Sequence, residues 1–198
     1  INVNDADGIT AADLNTLIAA TTVSVDLSEN HPNVTGTTAE FTTLYASHAA
    51  GNLLTGADDM DITLNDTGVI SAATIIALND ETSTAMQIAD SVTGISGVFA
   101  DVDVVLDETG ITTNDIVGRA ADGDVQPVTV EVTDAITVAE ANSILVETNG
   151  AVTATISDTD IATLITTVNN TNYAGLNNTG GTIDANAVFT VTVADTTV

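Results

Sequence analysis

The chain has 198 residues, enough for one good-sized domain or two small ones, and its 44% hydrophobic content supports a buried core and argues against disorder. Its 28 acidic residues face a single base, Arg119, for a formal net charge of -27. With no cationic surface to follow phosphates, nucleic acid and anionic membrane surfaces are excluded as partners.

So lopsided a charge makes a compact chain repel itself, and salt or bound divalent cations must relieve it. Sea salt shortens the screening length to roughly 3–5 Å. The composition points to an extracellular protein in a saline, cation-rich medium; a halophilic cytosol is the competing source. Cysteine is absent, which removes disulfides, Cys/His zinc sites and thiol nucleophiles. No apolar run approaches the roughly 20 residues of a membrane helix, so membrane insertion is not expected.

In chain order, eight segments read as strands. They are INVND from Ile1, VSVDLSE from Val23, MDITLND from Met60, AMQIAD from Ala85, VDVVLDE from Val102, VTVEVTD from Val128, VTATISD from Val152 and FTVTVAD from Phe189. The opening INVND reads as a strand and not as a signal peptide. Helical segments fall between them, beginning near Thr10, Thr37, Ser71, Ser91, Thr112, Thr137 and Asp158. Four of these open with capping-box chemistry: Thr10 with Asp13, Thr37 with Glu40, Thr112 with Asp115 and Thr137 with Glu140. Two long loops are predicted, ASHAAGNLLTGADD after Tyr45 and NNTNYAGLNNTGGTIDANA after Val168.

The chain repeats itself. ITAADLNTLIAATTVSVDLSEN from Ile9 aligns with ITVAEANSILVETNGAVTATISDT from Ile136, and TAEFTTLYAS from Thr38 aligns with TDIATLITTV from Thr159. Three units result: 1–66, a degenerate 67–126 and 127–198, packed as one continuous domain. Strict alternation of strand and helix predicts α/β structure with parallel strands and right-handed crossovers. The strands alternate inward and outward residues: Val128, Val130 and Val132 oppose Thr129 and Glu131, and Val152, Ala154 and Ile156 oppose Thr153 and Thr155. A doubly wound sheet buries both faces and has continuous apolar strands. The alternation therefore favours a right-handed strand-helix solenoid with a one-sided parallel sheet. Tandem small βαβαβ modules are the alternative.

A carboxylate stands two residues beyond the last inward residue of each predicted strand: Asp5, Glu29, Asp66, Asp90, Glu108, Asp134, Asp158 and Asp195. Each one, taken locally, makes an Asx-turn or caps a helix. Taken together in a parallel ladder, they would stack about 5 Å apart. Ca2+ is the natural bridge for such a row, because it accepts carboxylate, carbonyl and hydroxyl oxygens. The turn clusters NDADG, GADDMD, ADVD and SDTD add Asp7, Asp58, Asp59, Asp101, Asp103 and Asp160 to the candidate metal set. NDADG is not an EF-hand loop, since the first ligand position falls on Val3.

Catalytic constellations are missing. His31 and His48 are the only imidazoles, no nucleophile elbow accompanies Ser47 and His48, and aromatics make up 3%, too few for a sugar-cleaving cleft. No phosphate loop or metalloprotease helix occurs. Asn33, Asn65, Asn169 and Asn177 lie in N-x-Ser/Thr sequons.

ITAADLNTLIAATT, VTGTTAEFTTLYAS and ITVAEANSILVETNGAVTATISDTD resemble the Thr/Asp/Ala-rich tandem repeats of very large secreted bacterial surface and adhesin proteins, notably from cyanobacteria. The resemblance spans most of the chain and is clearest at 1–66 and 127–198. It implies export without disulfides, a cell-surface or matrix location and, often, calcium. The glycine-rich nonapeptide of calcium-binding secreted toxins is absent. The expected function is that of a non-enzymatic extracellular structural protein. It would be a self-assembling subunit of a filament, surface layer or adhesin stalk, with copies of itself as partners. The alternative is a secreted module of a surface adhesin that binds glycans or another partner.

Overall fold

The computed structural model describes residues 1, 3, 8–27, 33–50, 54–84, 86–107, 116–117, 128–148, 150–157 and 188–191. The architecture is mixed α/β with parallel sheets. In chain order the elements are β1 (Ile9–Thr10), α1 (Ala11–Ala20), β2 (Val25–Asp26), β3 (Asn33–Gly36), α2 (Thr38–Ala49), β4 (Leu54–Thr55), a 3-10 turn (Ala57–Asp59), β5 (Asp61–Leu64), β6 (Gly68–Ser71) and α3 (Ala72–Asn79). They continue with β7 (Met86–Ile88), β8 (Val92–Gly97), α4 (Phe99–Asp107), β9 (Ile116–Val117), β10 (Thr129–Ile136), α5 (Val138–Glu147), β11 (Val152–Ile156) and β12 (Val188–Val191).

Among the described residues two five-stranded sheets form, ordered β1-β3-β5-β7-β9 and β6-β8-β10-β11-β12, beside a two-stranded pair of β2 and β4. Every strand pair is parallel. Spatial order therefore follows chain order in both large sheets. Consecutive helices also pack on one another, α1 on α2, α2 on α3, α3 on α4 and α4 on α5. Side chains tie some of these neighbours: Asn15 Nδ2 donates to the Glu40 carbonyl at 2.9 Å, and Ser143 Oγ donates to Asp103 Oδ1 at 3.2 Å.

The core is made of ladders of like residues. Val34, Ile62 and Met86 occupy one register line of the first sheet, and all are fully buried. Ile70, Ile95, Val130 and Val152 form a matching buried line in the second sheet. Leu14, Phe41, Leu44, Ile75, Val102, Val105 and Ile144 close over these ladders from the helices in one continuous cluster. Each large aliphatic removed from water contributes about 1.5–3 kcal/mol. The outward positions predicted from alternation are polar and open: Thr129, Glu131 and Thr153 are exposed.

Local chemistry explains the helix starts. Thr37 and Thr137 are N-caps with complete capping boxes, each side chain accepting from the backbone of Glu40 or Glu140, which reaches back in turn. Thr10 caps α1, accepting from the Asp13 amide at 3.0 Å while its hydroxyl donates to Asp13 Oδ2 at 2.7 Å.

The predicted alternation of one strand and one helix is corrected. Among the described residues two or three strands separate consecutive helices, because β3, β4, β6, β8 and β9 also form. The predicted strand at Val102–Glu108 is helical from Phe99 to Asp107, with Val102, Val105 and Leu106 buried at helical spacing. The predicted helix from Ser91 is the strand β8, as Gly94 and Gly97 disfavour a helix and β-branched residues favour extension. Val23, the first apolar residue of the predicted strand VSVDLSE, is 53% exposed. The loop predicted after Tyr45 instead carries the end of α2, β4 and the 3-10 turn. The predicted helix starts near Thr112 and Asp158, and the loop after Val168, lie outside the described residues.

Candidate functional site

The row of acids at the strand ends is the feature the sequence singles out. Asp5, Asp7, Glu29, Glu108, Asp158, Asp160 and Asp195 lie outside the described residues. Two of the others share a geometry. After β5, Asp66 reaches the first turn of α2, where its Oδ2 accepts from the Thr38 amide at 2.8 Å and its Oδ1 from the Thr38 hydroxyl at 2.9 Å. On β10, Asp134 Oδ1 accepts from the Phe99 amide at 2.8 Å, at the start of α4. In each case the helix follows the neighbouring strand, β3 or β8. The carboxylate thus caps a helix from the adjacent strand, taking an otherwise orphan amide at the positive end of the helix dipole. Residue 98, before α4, is a valine and has no side-chain oxygen to cap the helix.

Asp59 Oδ1 accepts from Ser83 Oγ at 3.1 Å, while the Asp58 carbonyl accepts from the Ser83 amide at 2.6 Å. Asp58 and Asp90 are exposed, and Asp101 lies half-buried in the first turn of α4. Among the described residues no group of three or more His, Asp or Glu side chains converges. The structure therefore does not bring Asp58, Asp59, Asp66, Asp90, Asp101, Asp103 and Asp134 together.

This geometry makes a sharp expectation for Asp66. Asp66→Ala loses both bonds to Thr38 and lowers stability by about 1 kcal/mol, the usual value of an N-cap. Asp66→Asn keeps an acceptor and costs less. Thermal melts in matched buffers check the order, and an asparagine variant as unstable as the alanine one would show that the charge, not the cap, matters.

Ser47 and His48 do not engage each other as a catalytic pair would. Ser47 Oγ donates to the Thr43 carbonyl at 3.1 Å, and His48 Nδ1, on α2, lies 3.1 Å from the Leu54 carbonyl of β4.

A groove of about 440 Å³ runs between α2 and α3, lined by Thr42, Tyr45, Ala46, Ala49, Ala73, Thr74, Ala77, Leu78 and Glu81. Small residues at helical spacing let the two helices leave this furrow open. Tyr45 is 3% exposed and stacks against Phe41 at 6.4 Å between ring centroids. Beneath it Thr82 donates to the Met60 carbonyl at 2.8 Å, and Thr84 bonds the same carbonyl. Burial, above all, pushes the Tyr45 phenol well above its ordinary value; the nearby Thr82 side chain opposes this, and the charges of Glu81 and Asp58 add to it.

The sign follows directly. The unfolded chain releases the phenolic proton near pH 10, whereas the folded chain holds it, so stability is untouched below about pH 10 and falls as pH rises beyond it. The chain has no lysine, leaving Tyr173 as the other side chain that titrates in that range. Tyr45→Phe should flatten the alkaline decline in unfolding midpoints. An equal decline in both proteins would refute the assignment.

The sequence did not disclose this groove, because it arises from the packing of α2 on α3. The amide partners of Asp66 and Asp134 were equally hidden, since each lies 28 or 35 residues away. Among the described residues no helix is long and apolar enough to cross a membrane. Comparison with protein-family models, with curated proteins and with solved structures finds no match.

Proposed function

We propose that the chain is an extracellular structural protein, a self-assembling subunit of a filament, surface layer or adhesin stalk, with no catalytic role. On this reading its elements wind as a right-handed strand-helix solenoid with a one-sided parallel sheet. The observation that carries the reading is the strand order: two five-stranded sheets, every pairing parallel, each running in chain order. Parallel crossovers are right-handed by strong general rule, and consecutive helices packed on one another support winding in a single direction. Such arrays grow in one dimension and leave open ends, which suits end-to-end assembly. The extreme negative charge suits a saline exterior, where Ca2+ or other divalent cations would relieve repulsion between copies.

Electron microscopy of the purified chain, in high salt and with calcium, tests this. Ordered fibres or lattices are expected; monomers persisting under all of these conditions would overturn it. A second reading, a module binding glycans or a protein partner, is favoured by the polar outer face of the first sheet. There Asn33 and Asp61 stand in register, as do Thr35, Thr63 and Gln87. Glycan-array binding by persistent monomers would favour that reading.

A further inference from the structure

The groove between α2 and α3 breaks with the rest of the composition. The chain carries 28 acids and no lysine, yet Glu81 is the one charged residue in the groove's lining. Ala46 and Ala49 on α2 and Ala73 and Ala77 on α3 are exposed there, and with side chains this small the space between the helices stays open. A volume of about 440 Å³ falls within the range of small-molecule sites, roughly 300–1,000 Å³, whose linings are mostly apolar with a few polar groups.

One part of this groove is negative. Leu78, in the last turn of α3, belongs to the lining, and α3 runs out into Asp80 and Glu81, both exposed. The C-terminal end of a helix carries partial negative charge, and α3 has no basic residue in its last turn to offset it. The charges of Glu81 and Asp58 both act on the phenol of Tyr45, which also lines the groove. No lysine or arginine lies among the described residues to neutralise them. Tyr45 is 3% exposed, and its hydroxyl has no hydrogen-bond partner among the described residues. A phenol oxygen accepts a hydrogen bond as readily as it donates one, so it suits an ammonium donor.

We infer that this groove binds small amphiphilic amines, with the apolar body along the alanines and the ammonium beside Glu81. Charge complementarity selects the class. An anionic amphiphile would meet Glu81, the negative end of α3 and a net charge of -27. A neutral one would gain nothing from them. The apolar body separates this site from the many exposed acids elsewhere, which attract any cation but offer no apolar surface of this extent to hold it. Such binding needs no neighbouring copy and stands apart from the assembly reading.

Titration of the whole chain with hexylammonium at moderate salt, followed by calorimetry and by NMR of the alanine methyls, tests the site. Binding should saturate at one molecule per chain. Methylammonium has the charge without the body and should bind at least about tenfold more weakly. Hexanol has the body without the charge and should bind at least about threefold more weakly. These three probes need no variant. Ala46→Leu and Ala77→Leu fill the groove from opposite helices, at exposed positions where leucine suits a helix. Each should weaken hexylammonium at least about tenfold, with the melting midpoint in the absence of amine reporting that the fold is kept. Glu81→Gln should weaken hexylammonium at least about threefold and leave hexanol unchanged. Asp90→Asn, at an exposed acid between β7 and β8, should change neither. Unsaturable uptake of hexylammonium, indifferent to both leucines, would mean loose counterion condensation and would overturn the site. Hexanol binding as tightly as hexylammonium would overturn the ligand class.

Discussion

Gly150→Ala should be among the most damaging single substitutions in the chain, lowering stability by at least about 3 kcal/mol. A Cβ at residue 150 would sit 1.9 Å from the Val128 carbonyl oxygen, 2.3 Å from its carbon and 2.9 Å from the Thr129 amide nitrogen. All three are main-chain atoms, so no side chain can rotate away. The backbone there is also fully engaged. Thr148 Oγ1 donates to the Val128 carbonyl at 2.7 Å and accepts from the Gly150 amide at 2.9 Å, while the Val130 amide donates to the Ala151 carbonyl at 2.8 Å. These bonds are the first rung joining β10 to β11, and the new methyl would have to break it. For a chain of this size the loss corresponds to roughly 6–12 °C in melting midpoint. Gly8→Ala is the matched comparison: φ is 94° at Gly8, and among the described residues nothing lies within 4 Å of its added methyl. It should cost only the left-handed backbone penalty, about 1–2 kcal/mol. A Gly150→Ala midpoint equal to that of Gly8→Ala would refute the close approach of the two strands.

That glycine also shows where sequence reading stops. Asn149-Gly150 reads as a turn before a strand, and nothing local says that a carbonyl from residue 128 presses on it. Features set by near neighbours were legible. The capping boxes at Thr37 and Thr137 need only residues three apart, and both form. The alternation in β10 and β11 needs only every second residue, and their inward and outward faces are as read. Features set by period over a short window were ambiguous. Val102, Val104 and Leu106 fit a strand by alternation, yet Val102, Val105 and Leu106 fit a helix, and packing against α3, α5 and β10 selects the helix. Strands as short as β1 carry too little pattern to be read.

The acidic row was legible as a pattern and only partly as a function. Asp66 and Asp134 belong to that row, and local capping was one of its two readings; capping is the contact both make. The sequence pointed each to the helix that follows its own strand. The structure assigns each instead to a helix that follows the neighbouring strand, so the acids stitch successive passes of the chain together. Two carboxylates already engaged by helix amides are less available to bridge with a cation, and this bears on how the remaining charge is managed.

Salt should therefore move the stability of this protein more than any conservative surface substitution. The net charge is -27, with Arg119 the only base among charged side chains. Two carboxylates 10 Å apart in water repel by about 0.4 kcal/mol, and 28 acids on one compact chain make many such pairs. Raising sodium chloride from about 10 mM to about 1 M shortens the screening length from roughly 30 Å to 3 Å. The unfolded chain spreads its charges and gains less from screening. The melting midpoint should rise by about 10 °C or more, equivalent to several kcal/mol at this size. A midpoint that stays fixed would show that charge does not limit folding. Calcium separates screening from binding. At matched ionic strength, condensed counterions give calcium only a modest advantage over sodium, whereas ligation at sites such as Asp58, Asp59 or Asp90 adds a further rise that grows with the logarithm of calcium concentration. Asp58→Asn with Asp59→Asn should abolish that increment if the ligands lie there. Calcium and sodium acting alike would leave the acidic row to helix caps and to screening by salt alone.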